Sequence, residues 1–153
     1  MSFDMQIRHF RDKYLNLKSA VKFKAIELTM KSECITRAEL KQEFENNSER
    51  FRKLVYAHAK TLVPGRISCT TYAVVVATIA DELEIPYVAK AGYCIQKSHP
   101  HYEAEIAEYN KRKNDDGGHP LFATHVFIEA NDKIYEYYNG DTDGIDHLDC
   151  EII

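Results

Sequence analysis

An apolar segment follows Cys69 and runs without a charged residue from Thr70 to Ala80. Its apolar side chains cover nearly every side of an α-helix, and a helix of that kind is buried all round. The segment stops before Pro86, which cannot continue a helix. The pattern therefore predicts a central buried helix that begins at Cys69, with its N-terminus at the protein surface.

Helices are also predicted before this segment. Residues 4–30 carry apolar side chains at helical spacing, which indicates one long helix or two short ones. Thr36 and Glu39 have the spacing of a capping box, in which each side chain bonds the backbone N–H of the other residue. The helix that starts there is expected to run to about Lys60, and Pro64-Gly65 ends the region.

Strands are predicted in the second half of the chain. Residues 87–95, 123–130 and 133–139 have strand composition, and the last residues, 150–153, indicate a further strand. A short helical piece is expected at 103–111. Helices followed by an antiparallel sheet define an α+β fold. A chain of 153 residues suits a single domain, with a helical part at 1–62 and a core at 63–153.

Composition excludes several classes of protein. Apolar residues make up 44% and charged residues 29%, as in globular proteins. The net charge of −4 argues against general nucleic-acid binding. No apolar run reaches the ~18 residues of a membrane span, and the N-terminus lacks a signal peptide pattern. The four cysteines have no CxxC spacing and are expected to be free thiols, which favours a cytoplasmic location.

The positions of Cys69 and His125 indicate a thiol-dependent site. A helix N-terminus stabilises negative charge and so favours the reactive thiolate of Cys69. His125 opens the strand at 123–130 and would serve as the base. A three-residue hairpin loop, 131–133, would place Asn139 directly opposite His125, where it could orient the ring. A two-residue loop would instead place Tyr138 opposite His125 and move Asn139 to the other face. Asp141, on the following loop, is the alternative orienting residue.

The order of these segments resembles the transglutaminase-like cysteine peptidase core of the papain-like superfold. Cys69 at the start of a central helix, Ile85-Pro86 after it, and His125 in the pattern His-x-Phe-x-Glu carry the resemblance over residues 64–140. The chain differs from that family in having Glu84 where the family often has glycine, no tryptophan, and Asn139 where an aspartate is expected. The resemblance implies a papain-like arrangement of helices and sheet.

The resulting prediction is a cysteine-dependent hydrolase or acyltransferase that acts on an amide or acyl bond. The candidate catalytic residues are Cys69, His125, Asn139 and Asp141, with no cofactor and no metal. Its substrate would be a peptide, a protein or a small amide. The alternative is a catalytically inactive scaffold of the same fold, which acts as a protein-binding or inhibitory module.

Two metal patterns compete with the thiol site. His99, His101 and His119, with Cys94, could bind zinc, although His-x-His is a pattern of low specificity. The segment 139–144 imitates the first half of a calcium-binding EF-hand loop. Cys150 occupies the twelfth position of that loop, where a glutamate is required, so an acidic turn explains the segment better.

Overall fold

The computed structural model describes residues 2–115, 123–137 and 144–153. Within these residues the chain forms six helices and four strands. In chain order they are α1 (Phe3–Ala20), α2 (Phe23–Ser32), α3 (Arg37–Glu45), α4 (Glu49–Leu62), α5 (Cys69–Glu82), β1 (Val88–Gln96), α6 (Tyr102–Asp115), β2 (His125–Ala130), β3 (Lys133–Tyr135) and β4 (Ile145–Ile152).

The strands form one antiparallel sheet in the order β3-β2-β1-β4. The helices pack on this sheet, which confirms the α+β class. One helix, α6, lies between β1 and β2 in the chain, so the helices do not all precede the sheet. In the described ranges no helix is both long and apolar enough to span a membrane.

The N-terminal region contains four helices. Of the two alternatives for residues 4–30, the structure has two helices, which are separated at Val21 and Lys22. The capping box of Thr36 and Glu39 is confirmed. The prediction of one helix from there to Lys60 was wrong. Asn47 adopts a left-handed backbone conformation with φ 44°, which ends the first helix, and Ser48 caps the next one.

The central helix α5 agrees with the sequence prediction. It begins at Cys69, and every residue from Thr70 to Ala80 is buried. It packs against α1 and α4 on the helical side and against β2 of the sheet. Each of its fully buried valine and isoleucine side chains contributes about 1.5–3 kcal/mol to folding. This burial fixes the helix axis and therefore the position of Cys69 at its end.

The hairpin between β2 and β3 has a shorter loop than predicted. Ala130 pairs with Lys133, so the loop consists of Asn131 and Asp132 alone. Both loop residues have positive φ, 53° and 59°, as a two-residue hairpin turn requires, and asparagine and aspartate tolerate this conformation. The three-residue loop that would place Asn139 opposite His125 is therefore wrong.

Candidate active site

Cys69 is held at the first position of α5 by helix capping. The side chain of Ser68 accepts a hydrogen bond from the backbone N–H of Thr71 at 3.1 Å. The Thr71 hydroxyl in turn accepts from the N–H of Ser68 at 3.0 Å. These reciprocal bonds fix the first turn of the helix. Cys69 is partly exposed there, while the residues that follow it are buried.

His125 is the first residue of β2, as predicted, and its ring is fully buried. It pairs with Gly92 of β1. The preceding residue, Thr124, is tied to β1 by its backbone N–H, which donates to the Gly92 carbonyl at 2.8 Å. Its hydroxyl donates to the Cys94 carbonyl at 2.8 Å and accepts from the Cys94 N–H at 2.9 Å. These bonds hold the start of β2 at a fixed position.

The fold brings Cys69 close enough to His125 for each side chain to shift the pKa of the other. Burial raises the pKa of the Cys69 thiol. The hydrogen bond and positive charge of His125 and the backbone N–H of Val126 outweigh burial, so the pKa lies below its ordinary value. Burial lowers the pKa of His125, but its hydrogen bonds to Cys69 and Glu136 raise it to about 9. The pair therefore favours a thiolate beside an imidazolium.

Glu136 is the carboxylate that contacts His125. Its Oε2 lies 2.9 Å from Nε2 of the histidine ring. Since Nε2 is engaged with Glu136, Nδ1 is the ring nitrogen that remains to serve the Cys69 thiol. Burial raises the pKa of Glu136, and its hydrogen bonds to His125 and His147 lower it by more, so the carboxylate is ionised at neutral pH. A charged acceptor at Nε2 stabilises the imidazolium and fixes the ring orientation.

An aromatic cluster fixes the hairpin that carries Glu136. Tyr135, the last residue of β3, is fully buried and stacks on Phe44 of α3 with ring centroids 4.8 Å apart. It also packs edge-on against Phe51 of α4. Its hydroxyl donates to the Phe44 carbonyl at 2.6 Å. The side chain of the next residue, Glu136, points to the opposite face, toward His125.

His147 is a second histidine at this carboxylate. Its Nε2 lies 2.7 Å from Oε2 of Glu136, and one fifth of its side chain is exposed. A register irregularity in β4 puts it there: Cys150 pairs with Gly92 and His147 with Cys94. Between these two pairs, β4 advances by three residues while β1 advances by two. The extra residue in β4 places His147 and Cys150 on the same sheet face as His125. Bulges of this kind redirect side chains beside functional sites.

The structure thus brings two of the four sequence-predicted site residues together, Cys69 and His125. Asn139 and Asp141 lie outside the described residues. Glu136 and His147 were missed. The two-residue loop would have indicated Glu136. That loop places Tyr138 opposite His125, and Glu136, two residues before Tyr138, then lies on the same face of the sheet as His125. His147 has no comparable signal, because regular alternation along β4 would place it and Cys150 on opposite faces.

The same cluster has the chemistry of a metal site. The donor atoms of His125, Glu136 and His147 all lie within 4.8 Å of one another. Two imidazoles and a carboxylate suit zinc and other first-row metals. Of the zinc candidates predicted from sequence, His99 and His101 are exposed in the connection from β1 to α6, and Cys94 faces Cys150 inside the sheet. His119 lies outside the described residues.

Two hollows border the first turn of α5. One, of about 540 Å³, is lined by Ser68, Thr70 and Thr71 and by residues of α1. The other, of about 740 Å³, is lined by Tyr72 and Tyr137, by Glu33 after the end of α2, and by residues of α4 that include three cationic side chains, Arg52, Lys53 and Lys60. Both hollows therefore include residues within three positions of Cys69.

Comparison with known protein families, curated proteins and solved structures gives no match to this chain. The chemistry of the site rests on its own geometry: a thiol at a helix start, an imidazole on a strand, and a buried carboxylate that bonds the far side of the imidazole.

Proposed function

We propose that this protein is a cysteine-dependent hydrolase or acyltransferase that acts on an amide or related acyl bond. The observation that carries the proposal is the chain of contacts from Cys69 through His125 to Glu136. A nucleophile, a base and a group that orients the base are the three parts of an activated-nucleophile site. Glu136 takes the role that the sequence had suggested for Asn139 or Asp141.

In this mechanism the Cys69 thiolate attacks the substrate carbonyl carbon and a carbon–sulfur bond forms. The backbone N–H of Cys69, at the helix start, donates to the developing oxyanion. His125 gives its proton to the leaving amine as the carbon–nitrogen bond breaks. Water or an acceptor amine then loses a proton to His125 and attacks the thioester, which releases the acyl group and restores the thiolate beside the imidazolium.

The arrangement of the elements supports a papain-like, transglutaminase-like assignment. Cys69 opens the central helix, His125 opens a strand, and Glu136 follows the next strand of the hairpin. The substrate would be a peptide, a protein or a small amide whose acyl carbon reaches the start of α5. The two hollows beside that turn are the candidate binding surfaces for the groups on either side of the bond.

A metal-dependent hydrolase is the second candidate function. It rests on the convergence of His125, Glu136 and His147 donor atoms. In that case the metal would occupy the position between the three side chains and activate water, and Cys69 would be dispensable. The proximity of Cys69 and His125 favours the thiol mechanism, because a thiol and an imidazole that shift each other's pKa are the nucleophile and base that this mechanism needs.

The first test is the pH dependence of alkylation at each cysteine, which is measured by iodoacetamide labelling and peptide mass mapping. We expect Cys69 to react fastest and to keep reacting at pH values well below the pKa of an ordinary cysteine thiol, which is ~8.5. His125→Ala should slow the reaction at Cys69 and leave the exposed thiol of Cys34 unchanged. Hydrolysis of activated esters and peptide amides should disappear in Cys69→Ala, while Cys34→Ala is the matched control.

Three results would decide between the candidates. If Cys69 reacts no faster than Cys34, the thiol mechanism is wrong and a binding scaffold is the better explanation. If activity survives in Cys69→Ala but is lost with a metal chelator, the site is a metal centre. If Cys69 is hyper-reactive and its alanine variant is inactive, the thiol mechanism stands and the search for the natural substrate is justified.

A further inference from the structure

Two further cysteines lie side by side in the sheet, apart from Cys69. The sulfur atoms of Cys94 in β1 and Cys150 in β4 are 3.6 Å apart, and both residues are free thiols. A disulfide bond has sulfur atoms ~2.05 Å apart. The two sulfur atoms would therefore need to approach by only about 1.5 Å. The proposed acyl-transfer mechanism uses neither thiol.

The sheet register explains why these side chains meet. Cys150 pairs with Gly92, and Cys94 is two residues further along β1, so both cysteines lie on one face. Gly92 allows the close approach of β4, since a Cβ there would lie 2.0 Å from the Asp149 carbonyl oxygen. A larger residue at position 92 would push β4 and Cys150 away from Cys94.

The two thiols have different surroundings. Cys94 is 1% exposed, whereas Cys150 is partly exposed. The hydrogen bond from Cys94 and the charges of His147 and His125 lower the pKa of Cys150. The hydrogen bond to Cys150, together with burial, raises the pKa of Cys94. In such a pair, the partly exposed thiol with the lowered pKa attacks an external disulfide, and the buried thiol then attacks the mixed disulfide and displaces the external group.

We propose that Cys94 and Cys150 are a redox-active dithiol. The two thiols are oxidised to an intramolecular disulfide by exchange with low-molecular-weight disulfides. The Cys150 thiolate attacks one sulfur of the small disulfide, whose S–S bond breaks and releases one thiolate. The released thiolate takes the proton of Cys94. The Cys94 sulfur then attacks the Cys150 sulfur, the mixed S–S bond breaks, and the second small thiolate leaves and takes a proton from water. Two electrons pass from the protein to the small disulfide, which is reduced to two thiols.

The test uses the full chain incubated in buffers of oxidised and reduced glutathione, quenched with acid and alkylated. Intact mass should show a species that carries two fewer alkyl groups than the reduced protein and no glutathione in their place, and peptide mapping should place the bond between Cys94 and Cys150. Cys94→Ser should instead accumulate a glutathione adduct on Cys150, on the order of tenfold above wild type, because the intramolecular step is lost. Cys150→Ser should form neither species.

Cys34 is the internal control, since it is exposed in the turn between α2 and α3 and should form only a mixed disulfide. The circular dichroism spectrum of Cys94→Ala is compared with that of wild type. An unchanged spectrum shows that this buried position tolerates loss of the thiol without loss of folding. A wild-type protein that carries only mixed disulfides at every glutathione ratio would overturn the proposal. A disulfide that includes Cys69 in place of Cys150 would overturn it as well, without bearing on whether Cys69 is catalytic.

Discussion

At the scale of single residues, the central question is what Glu136 does for His125. A glutamine at this position would keep the length of the side chain and its ability to accept a hydrogen bond, but it would carry no charge. The buried imidazolium would then lose its negative neighbour. Glu136 thus differs from the asparagine expected at residue 139, which could orient the ring but could not stabilise its positive charge.

We expect Glu136→Gln to slow alkylation of Cys69 at neutral pH by on the order of tenfold or more. Loss of the carboxylate lowers the pKa of His125, and one pKa unit changes the balance of protonation states about tenfold. The measurement is the pH profile of iodoacetamide labelling at Cys69. Glu82→Gln is the matched control, because it removes a surface ion pair with Arg37 at the far end of α5.

A profile of Glu136→Gln that coincides with wild type would show that Glu136 has no electrostatic role at His125. A uniform loss of labelling at all pH values, with an altered circular dichroism spectrum, would indicate a folding defect. The expected signature is a displaced profile with an unchanged spectrum, and a smaller displacement in His147→Ala, where Glu136 keeps its bond to His125.

At the scale of elements, helix starts and strand starts could be predicted and strand pairing could not. Capping residues and apolar patterns act locally. The positions of Cys69 at the start of α5 and of His125 at the start of β2 can therefore be predicted from the sequence. Register depends on loop geometry and on contacts between distant segments. The loop at Asn131 is one residue shorter than expected, which moves the side chain of every later residue in the hairpin to the opposite face of the sheet. Glu136 was missed for this reason.

The contact between β1 and β4 also depends on tertiary packing. The extra residue in β4 opposite Tyr93 and Cys94 depends on how two strands that are distant in the chain pair with each other, which the sequence of either strand does not specify. It nevertheless decides which side chains share the face of His125. The residue that permits this pairing is Gly92, which is the partner of both His125 and Cys150.

We therefore expect Gly92→Ala to destabilise the protein by at least about 3 kcal/mol, because the new methyl group would overlap the backbone of β4. Gly65→Ala is the control: its Cβ would meet nothing within 4 Å, and its positive φ of 78° costs only about 1–2 kcal/mol. Urea unfolding followed by circular dichroism measures both. Equal losses in the two variants would contradict the close approach of β4 to Gly92.

At the scale of the whole molecule, the buried charges of the site couple folding to pH. The pKa of His125 is raised from 6.5 to about 9, so its contribution to stability is complete below 6.5 and is lost as pH rises through about 9. The pKa of Glu136 is lowered from 4.5, so its contribution is complete above 4.5 and is lost as pH falls through its folded value. Both contributions are complete together only between these limits.

The free energy of unfolding of wild type should therefore exceed that of Glu136→Gln by the largest amount between about pH 5 and pH 6.5, on the order of 2 kcal/mol for a hydrogen bond between charged groups. The difference should shrink as pH rises from 6.5 through about 9, where His125 loses its proton, and as pH falls below 4.5 through the lowered pKa of Glu136, where Glu136 gains one. Urea unfolding of both proteins across this range measures it. A difference that is constant with pH would mean that Glu136 stabilises the fold by packing, and that the carboxylate and the imidazole are not an ion pair in the folded protein.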